Sequence, residues 1–143
     1  MNIFMVNDLG VFVDTGVFVA LRNRDDKYHG RAKELMRRAL RGEFGAIFTS
    51  DYVFDEAVTV ALVRTRRMDL AVDVGSYILS SPRIRMIYVD RIIFEDAWRI
   101  FQKYSDRMLS FTDATTVAIM QRYGILHLMT FDNRFKGIVA LVE

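Results

Sequence analysis

Short apolar runs alternate with helically spaced segments along this chain, and that alternation narrows the fold more than any other feature. Val11-Phe12-Val13 is a continuous apolar run of the kind a buried parallel strand needs. Asp14-Thr15 follows, with either residue able to cap a helix running to about Arg22. From His29 to Arg41 the residues Ala32, Leu35, Met36, Ala39 and Leu40 recur at helical spacing, and Gly42 closes the segment. Ala46 to Thr49 reads as a second strand, and Ser50 or Asp51 caps a helix that carries Glu56 to about Arg66. A helix from Asp69 to Leu79 ends at Ser80-Ser81-Pro82, and Ile84 to Val89 reads as a third strand. Asp90 caps a helix to about Tyr104, and Thr112-Asp113 opens another that ends at Tyr123-Gly124. Ile125 to Thr130 reads as a fourth strand and Ile138 to Leu141 as a short fifth.

This pattern predicts a three-layer α/β/α fold, with a central four- to five-stranded, mainly parallel sheet and helices on both faces. Ligands of such sheets bind beyond the carboxyl ends of the strands, where the strand order reverses. Asp14 directly follows the first strand and Asp132 follows the fourth by two residues, so both stand where that rule puts a site.

The length of 143 residues suits one core, and the only proline is Pro82, with no Gly/Ser-rich linker. One domain over 1–143 is expected. The absence of cysteine excludes a disulfide scaffold, a zinc–thiolate site and a cysteine nucleophile, and it suits the cytoplasm. The opening MNIFMVNDLG carries no positive leader and is interrupted by Asn7 and Asp8, so it does not read as a signal peptide. No apolar stretch reaches membrane-spanning length without a charge, and a soluble, cytoplasmic protein without a membrane partner is expected.

Four acids stand out, although each has an ordinary role when taken alone. Asp14 serves equally well as a helix N-cap, and Thr112-Asp113 makes a good helix start by itself. Asp132, in Phe131-Asp132-Asn133-Arg134, fits a turn. Glu56 sits beside Asp55 among Tyr52, Phe54, Val58, Ala61 and Leu62, so one of the two acids should face inward. Asp14, however, lies between two apolar runs, and a carboxylate buried there must be paired or hold a cation.

Together the four acids lie at the ends of elements that one sheet would gather on one edge. Hard cations such as Mg²⁺ and Mn²⁺ take oxygen ligands, and His29 and His127 are too isolated to suggest zinc. Clustered carboxylates repel one another without a cation. With a divalent ion they can polarise a phosphodiester and activate water. The charge balance agrees. With four of the 18 acids in one pocket, the remaining 14 face 20 basic residues, an excess of six that suits a polyanionic substrate. No phosphate-binding glycine loop, dinucleotide fingerprint or G-x-S-x-G elbow is present, which disfavours ATP, dinucleotide and serine-hydrolase chemistry.

Three segments, VFVDTGVFVAL, FTSDYVFDEAVT and SFTDATTVAIMQRYGILHLMTFDNRF, resemble the PIN domain, in particular the toxin nucleases of VapBC-type toxin–antitoxin pairs. The resemblance spans essentially the whole chain. It matches Asp14 to the family's acid at the end of strand one and Glu56 to the glutamate after strand two. It matches Asp113 to the acid opening the late helix and Asp132 to the final acid in T-x-D-x-x-F. It implies a Mg²⁺- or Mn²⁺-dependent endoribonuclease with those four residues as catalytic and metal-holding groups, an RNA substrate, a cognate antitoxin and a homodimer. A housekeeping PIN nuclease of RNA processing or decay, or a non-catalytic module built on the metal pocket, is the alternative.

Thr15, Thr112 and Thr130 flank three of the acids and are candidates for holding carboxylates or waters, although capping and strand propensity explain them equally well. Basic residues cluster as Arg22-Arg24-Lys27, Arg37-Arg38-Arg41, Arg64-Arg66-Arg67 and Arg134-Lys136. Arg134, two residues from Asp132, is the candidate for a substrate phosphate. The aromatic residues mostly fall at core spacing and are not read as stacking platforms for bases.

Overall fold

The computed structural model describes residues 10–143. The reading of the first residues as no signal peptide lies outside the described residues. Five strands run in chain order as β1 (Val11–Val13), β2 (Ile47–Ser50), β3 (Ile84–Ile87), β4 (His127–Met129) and β5 (Ala140–Val142). They form one sheet in the spatial order β3-β2-β1-β4-β5, and every neighbouring pair is parallel. Six helices of the described residues connect them: α1 (Thr15–Arg22), α2 (His29–Leu40), α3 (Asp51–Thr65), α4 (Met68–Ser80), α5 (Arg91–Lys103) and α6 (Phe111–Tyr123).

The strand order steps outward from β1 to β3, then jumps back across β1 to β4. Right-handed crossovers therefore put α1 to α4 on one face and α5 with α6 on the other. The packing largely follows that division, with α1 against α2, α3 and α4, and α5 against α6, while α3 also touches α6. No helix among the described residues is long and apolar enough to cross a membrane.

β1 is the middle strand and is wholly buried, which is why its sequence is a continuous apolar run rather than an alternating one. Phe12, Phe18, Leu35, Ile47, Leu128 and Phe135 are among the fully buried side chains around it. Gly10 leads into β1 at φ +91°, where a Cβ would lie 2.8 Å from the Ala46 carbonyl oxygen. Only glycine fits that close approach to the neighbouring strand.

The helix starts follow from local capping. Ser50 Oγ accepts from Val53 N–H and Asp90 Oδ1 accepts from Ile93 N–H, as their sequence positions suggest. The start of α6 differs from the expectation. Ser110, two residues earlier than the expected Thr112, is the N-cap, and Asp113 completes a capping box with it. The Ser110-x-x-Asp113 spacing carries that signal in the sequence.

Candidate active site

Strand β1 ends at Val13, and Asp14 takes the next position with its N–H donated to the Met129 carbonyl at the end of β4 (3.0 Å). The first acid is thereby fixed at the point where the strand order reverses, beside the strand that leads to Asp132. Asp14 is the N-cap of α1 but makes no side-chain cap bond. Its Oδ2 instead accepts from the Thr130 hydroxyl at 2.7 Å. Its Oδ1 is buried and has no hydrogen-bond partner among the described residues. A buried carboxylate oxygen without a donor is costly, so Asp14 is held in place by the fold rather than satisfied by it.

The helix phase of α3 separates the neighbouring acids. Asp55 is exposed, while Glu56 is half-buried and accepts from the Thr15 hydroxyl through Oε1 at 2.7 Å. Asp113, only 4% exposed, accepts from Ser110 N–H through Oδ2 at 2.9 Å. Asp132 follows Thr130, whose Oγ1 accepts from Asp132 N–H at 3.0 Å. One threonine thus bridges two acids: it donates to Asp14 and accepts from the backbone of Asp132.

A cavity of about 470 Å³ is lined by all four acids, by Thr15, Ser110 and Thr130, and by Arg64 and Arg134. Arg134 enters it from the short turn Asn133–Phe135. Its Nε donates to both oxygens of Asp132 at 3.0 Å, and its Nη2 reaches Asp113 Oδ2 at 3.3 Å. Arg107 pins that turn by donating to the carbonyls of Arg134 (2.8 Å) and Lys136 (2.7 Å).

The electrostatics are uneven across the cluster. Burial pushes the Asp14 carboxyl up to about 7, against the Thr130 hydrogen bond and with the help of Asp113 and Glu56 nearby. Burial also pushes Asp113 above the usual carboxylate range, opposed by Ser110 N–H and by Arg134. Asp132 goes the other way, held below its ordinary value by Arg134. The Asp113 and Glu56 charges thus add to the upward push on Asp14, Glu56 adds to that on Asp113, and a single guanidinium offsets the Asp132 side of the pocket. Among the described residues no three acid or histidine side chains stand in ready ion-holding geometry. Arg134 lies between Asp132 and Asp113, and Asp113 is turned onto its own capping box.

The residues expected at a site are thus largely brought together. Asp14, Glu56, Asp113, Asp132, Thr15, Thr130 and Arg134 share one cavity. Thr112 does not line that cavity; its carbonyl accepts from the Thr115 hydroxyl, and among the described residues its own hydroxyl makes no hydrogen bond. Ser110 takes the role expected of Thr112: its N–H donates to Asp113 Oδ2 and its hydroxyl accepts from Asp113 N–H.

A carboxylate pocket at the switch point of a five-stranded parallel sheet in this order defines a class, and the sequence comparisons agree. Residues 11–141 match the family described as PIN domain, and the chain belongs to that family. It is 33% identical over 127 residues to the 23S rRNA-specific endonuclease VapC20 of Mycobacterium tuberculosis, covering 89% of this chain and 92% of that protein. A VapC ribonuclease of Archaeoglobus fulgidus is 23% identical over 128 residues, covering 89% of this chain and 80% of that one. The crystal structure of the M. tuberculosis VapC20, described as a Sarcin-Ricin loop cleaving toxin, superposes with a TM-score of 0.79 at 32% identity, covering 90% of this chain and 94% of that one. The VapBC2 structure of Rickettsia felis shares the fold at a TM-score of 0.66 and 13% identity, covering 93% of this chain and 97% of that one.

Proposed function

We propose that this chain is an endoribonuclease that hydrolyses RNA phosphodiester bonds with Mg²⁺ or Mn²⁺, acting from the cytoplasm as the toxin of a toxin–antitoxin pair. The whole of 1–143 serves as one catalytic domain. The observation that carries the chemistry is Asp14: a buried carboxylate whose Oδ1 lacks a donor, in a cavity shared with Glu56, Asp113 and Asp132. An all-oxygen donor set of this charge fits a hard divalent cation. The likeness to an rRNA endonuclease and to a VapC ribonuclease supports RNA as the substrate. The description of VapC20 as a toxin supports an antitoxin as the partner.

Asp14, Glu56, Asp113 and Asp132 would hold the ion, directly or through water. When bound, it supplies Lewis acidity that activates water and offsets charge building on the phosphate. The chain's own residues do the rest. Thr130 orients Asp14 so that one oxygen remains free, and Thr15 orients Glu56. Ser110 N–H fixes Asp113. Arg134 neutralises Asp132 and can turn its guanidinium to a phosphate oxygen. The experiment is cleavage of RNA by the purified protein with Mg²⁺ or Mn²⁺, with EDTA as the control. Asp14→Asn and Asp113→Asn should each abolish cleavage with the fold retained. Full activity in either variant, on RNA free of contaminating nuclease, overturns the assignment.

A further inference from the structure

One wall of the carboxylate cavity is aromatic. Tyr28 lies just before α2, and Phe131 lies between Thr130 and Asp132. Their rings stack with centroids 4.5 Å apart and planes 14° from parallel, and both line the cavity. Phe131 is half-buried and Tyr28 is 40% exposed.

The loop holds the Tyr28 ring in place without burying it. Asn23 Oδ1 accepts from Asp25 N–H at 3.1 Å, and Asp26 Oδ1 accepts from Tyr28 N–H at 2.8 Å. Both are short side-chain turns that set the backbone locally. The His29 ring lies 2.8 Å from the Ala20 carbonyl and ties the loop back to α1. The Lys27 ammonium stands over the Tyr28 ring, 5.0 Å from its centroid. Lys27 is exposed, and an exposed cation–π contact of this kind is weak enough for a flat ligand to displace.

Exposure of a stacked pair is not enough to argue a role. Trp98 and Phe101 on α5 also stack, with centroids 5.8 Å apart and planes 12° from parallel, but they do not line this cavity. The Tyr28–Phe131 pair differs in its place. Phe131 is chain neighbour to both Thr130, which holds Asp14, and Asp132 itself. A phosphodiester at the acids therefore puts its attached base within reach of this wall. Lys27, and Arg64 on the cavity lining, supply charge for the flanking phosphates. Aromatic faces beside a basic groove are how proteins bind unpaired nucleotides without reading their edges.

We propose that Tyr28 and Phe131 form a stacking platform for an unpaired RNA base next to the cleaved phosphodiester. The assignment rests on the nuclease reading of the carboxylate site, and its test is separable from that reading. Binding is measured by fluorescence anisotropy in EDTA, where nothing is cleaved. The probes are a short labelled single-stranded RNA and an abasic oligonucleotide of the same length. Tyr28→Ala should weaken binding of the base-bearing probe by roughly ten- to a hundredfold and leave the abasic probe unchanged. Tyr28→Leu preserves apolar packing and should lose as much, while Tyr28→Phe should bind like the wild type. Thermal melts of each variant report the fold. An equal loss on both probes, no loss at all, or full binding by Tyr28→Leu overturns the platform. Cleavage in Mg²⁺ is scored separately: a wild type that binds in this base-dependent way but never cleaves overturns the nuclease reading and leaves the platform standing.

Discussion

The same residue type behaves in opposite ways in two regions of this molecule. On the helical surface Asp73 forms a fork with Arg22, at 2.8 and 3.2 Å, and is held below its ordinary value. Asp96 is likewise lowered, between Arg99 and Arg122. At the sheet edge, Asp14 and Asp113 are buried beside other acids and are pushed up. The surface acids have partners and water. The sheet-edge acids have been stripped of water with too few donors in return. The first arrangement mildly favours folding, whereas the second opposes it, a cost that the cation proposed above would offset. The fold tolerates the second because the β1–β4 ladder runs up to Val13 and Asp14 N–H extends it onto the Met129 carbonyl.

The largest expected effect breaks that contrast at its extreme. A carboxyl moved from its ordinary 3.8 to about 7 costs the folded state on the order of 4 kcal/mol once ionised. Asp14→Asn removes the charge, keeps an acceptor for Thr130 and puts an amide where Oδ1 has no partner. Metal-free Asp14→Asn should therefore melt several degrees above the wild type near pH 8, while losing more than the roughly 100-fold activity that loss of an orienting partner costs. Mg²⁺ should raise the wild-type melting temperature more than the variant's. A variant that melts below the wild type in EDTA would show that the charge is not the burden.

The pH dependence separates the two regions by sign. Asp14 has a folded value above its unfolded one, so its folded state binds the extra proton. Its contribution to stability is fully present below 3.8 and is lost as pH rises through about 7. Asp73, lowered in the folded state, contributes above its ordinary value and loses that contribution as pH falls. Melting curves of metal-stripped protein from about pH 4 to about pH 8 should show the Asp14→Asn advantage growing with pH and then levelling. A constant advantage would mean that packing, not ionisation, separates the two proteins.

Much of this contrast was readable from the chain, but unevenly. Asp14 and Asp132 stand at strand ends, so the alternation of elements places both on one sheet edge. Asp113 was legible as a helix-start acid, although its cap, Ser110, was missed while the Ser-x-x-Asp box was in plain view. Local sequence alone could not separate Glu56 from Asp55, because apolar residues surround both, and only the family resemblance picked Glu56. The tertiary bond from Thr15 and the exposure of Asp55 make the difference. The Arg134 bond to Asp113 and the Tyr28 stack on Phe131 have no sequence signature. Each joins positions brought together only when loops close over the sheet edge.

A smaller effect sharpens the sheet-edge side. Thr130 donates to Asp14 Oδ2 and accepts from Asp132 N–H, so its hydroxyl orders two acids at once. Thr130→Val keeps the shape and the strand propensity but removes both bonds. Cleavage should fall by roughly 10- to 100-fold, with a parallel loss of Mg²⁺ affinity in calorimetry. Thr112→Val, at the position whose hydroxyl makes no such bond, is the control and should leave both unchanged. Equal losses from the two substitutions would mean that general packing around the late helix, rather than the hydrogen bond, sets the activity.

The smallest effect belongs to the surface pair. Arg22 ends α1 and Asp73 sits on α4, so their fork ties two helices, with the guanidinium also 4.9 Å over the Tyr77 ring. Asp73 is nevertheless 43% exposed, and water screens most of what the geometry offers. Asp73→Asn should lower stability by only about 0.2–1 kcal/mol, less in high salt, and leave RNA cleavage unchanged. Its sign is opposite to that of Asp14→Asn: the same change of one oxygen to an amide destabilises where the carboxylate was paired and stabilises where it was not. If the two substitutions shift metal-free stability in the same direction, burial without a partner is not what distinguishes the sheet edge from the helical surface.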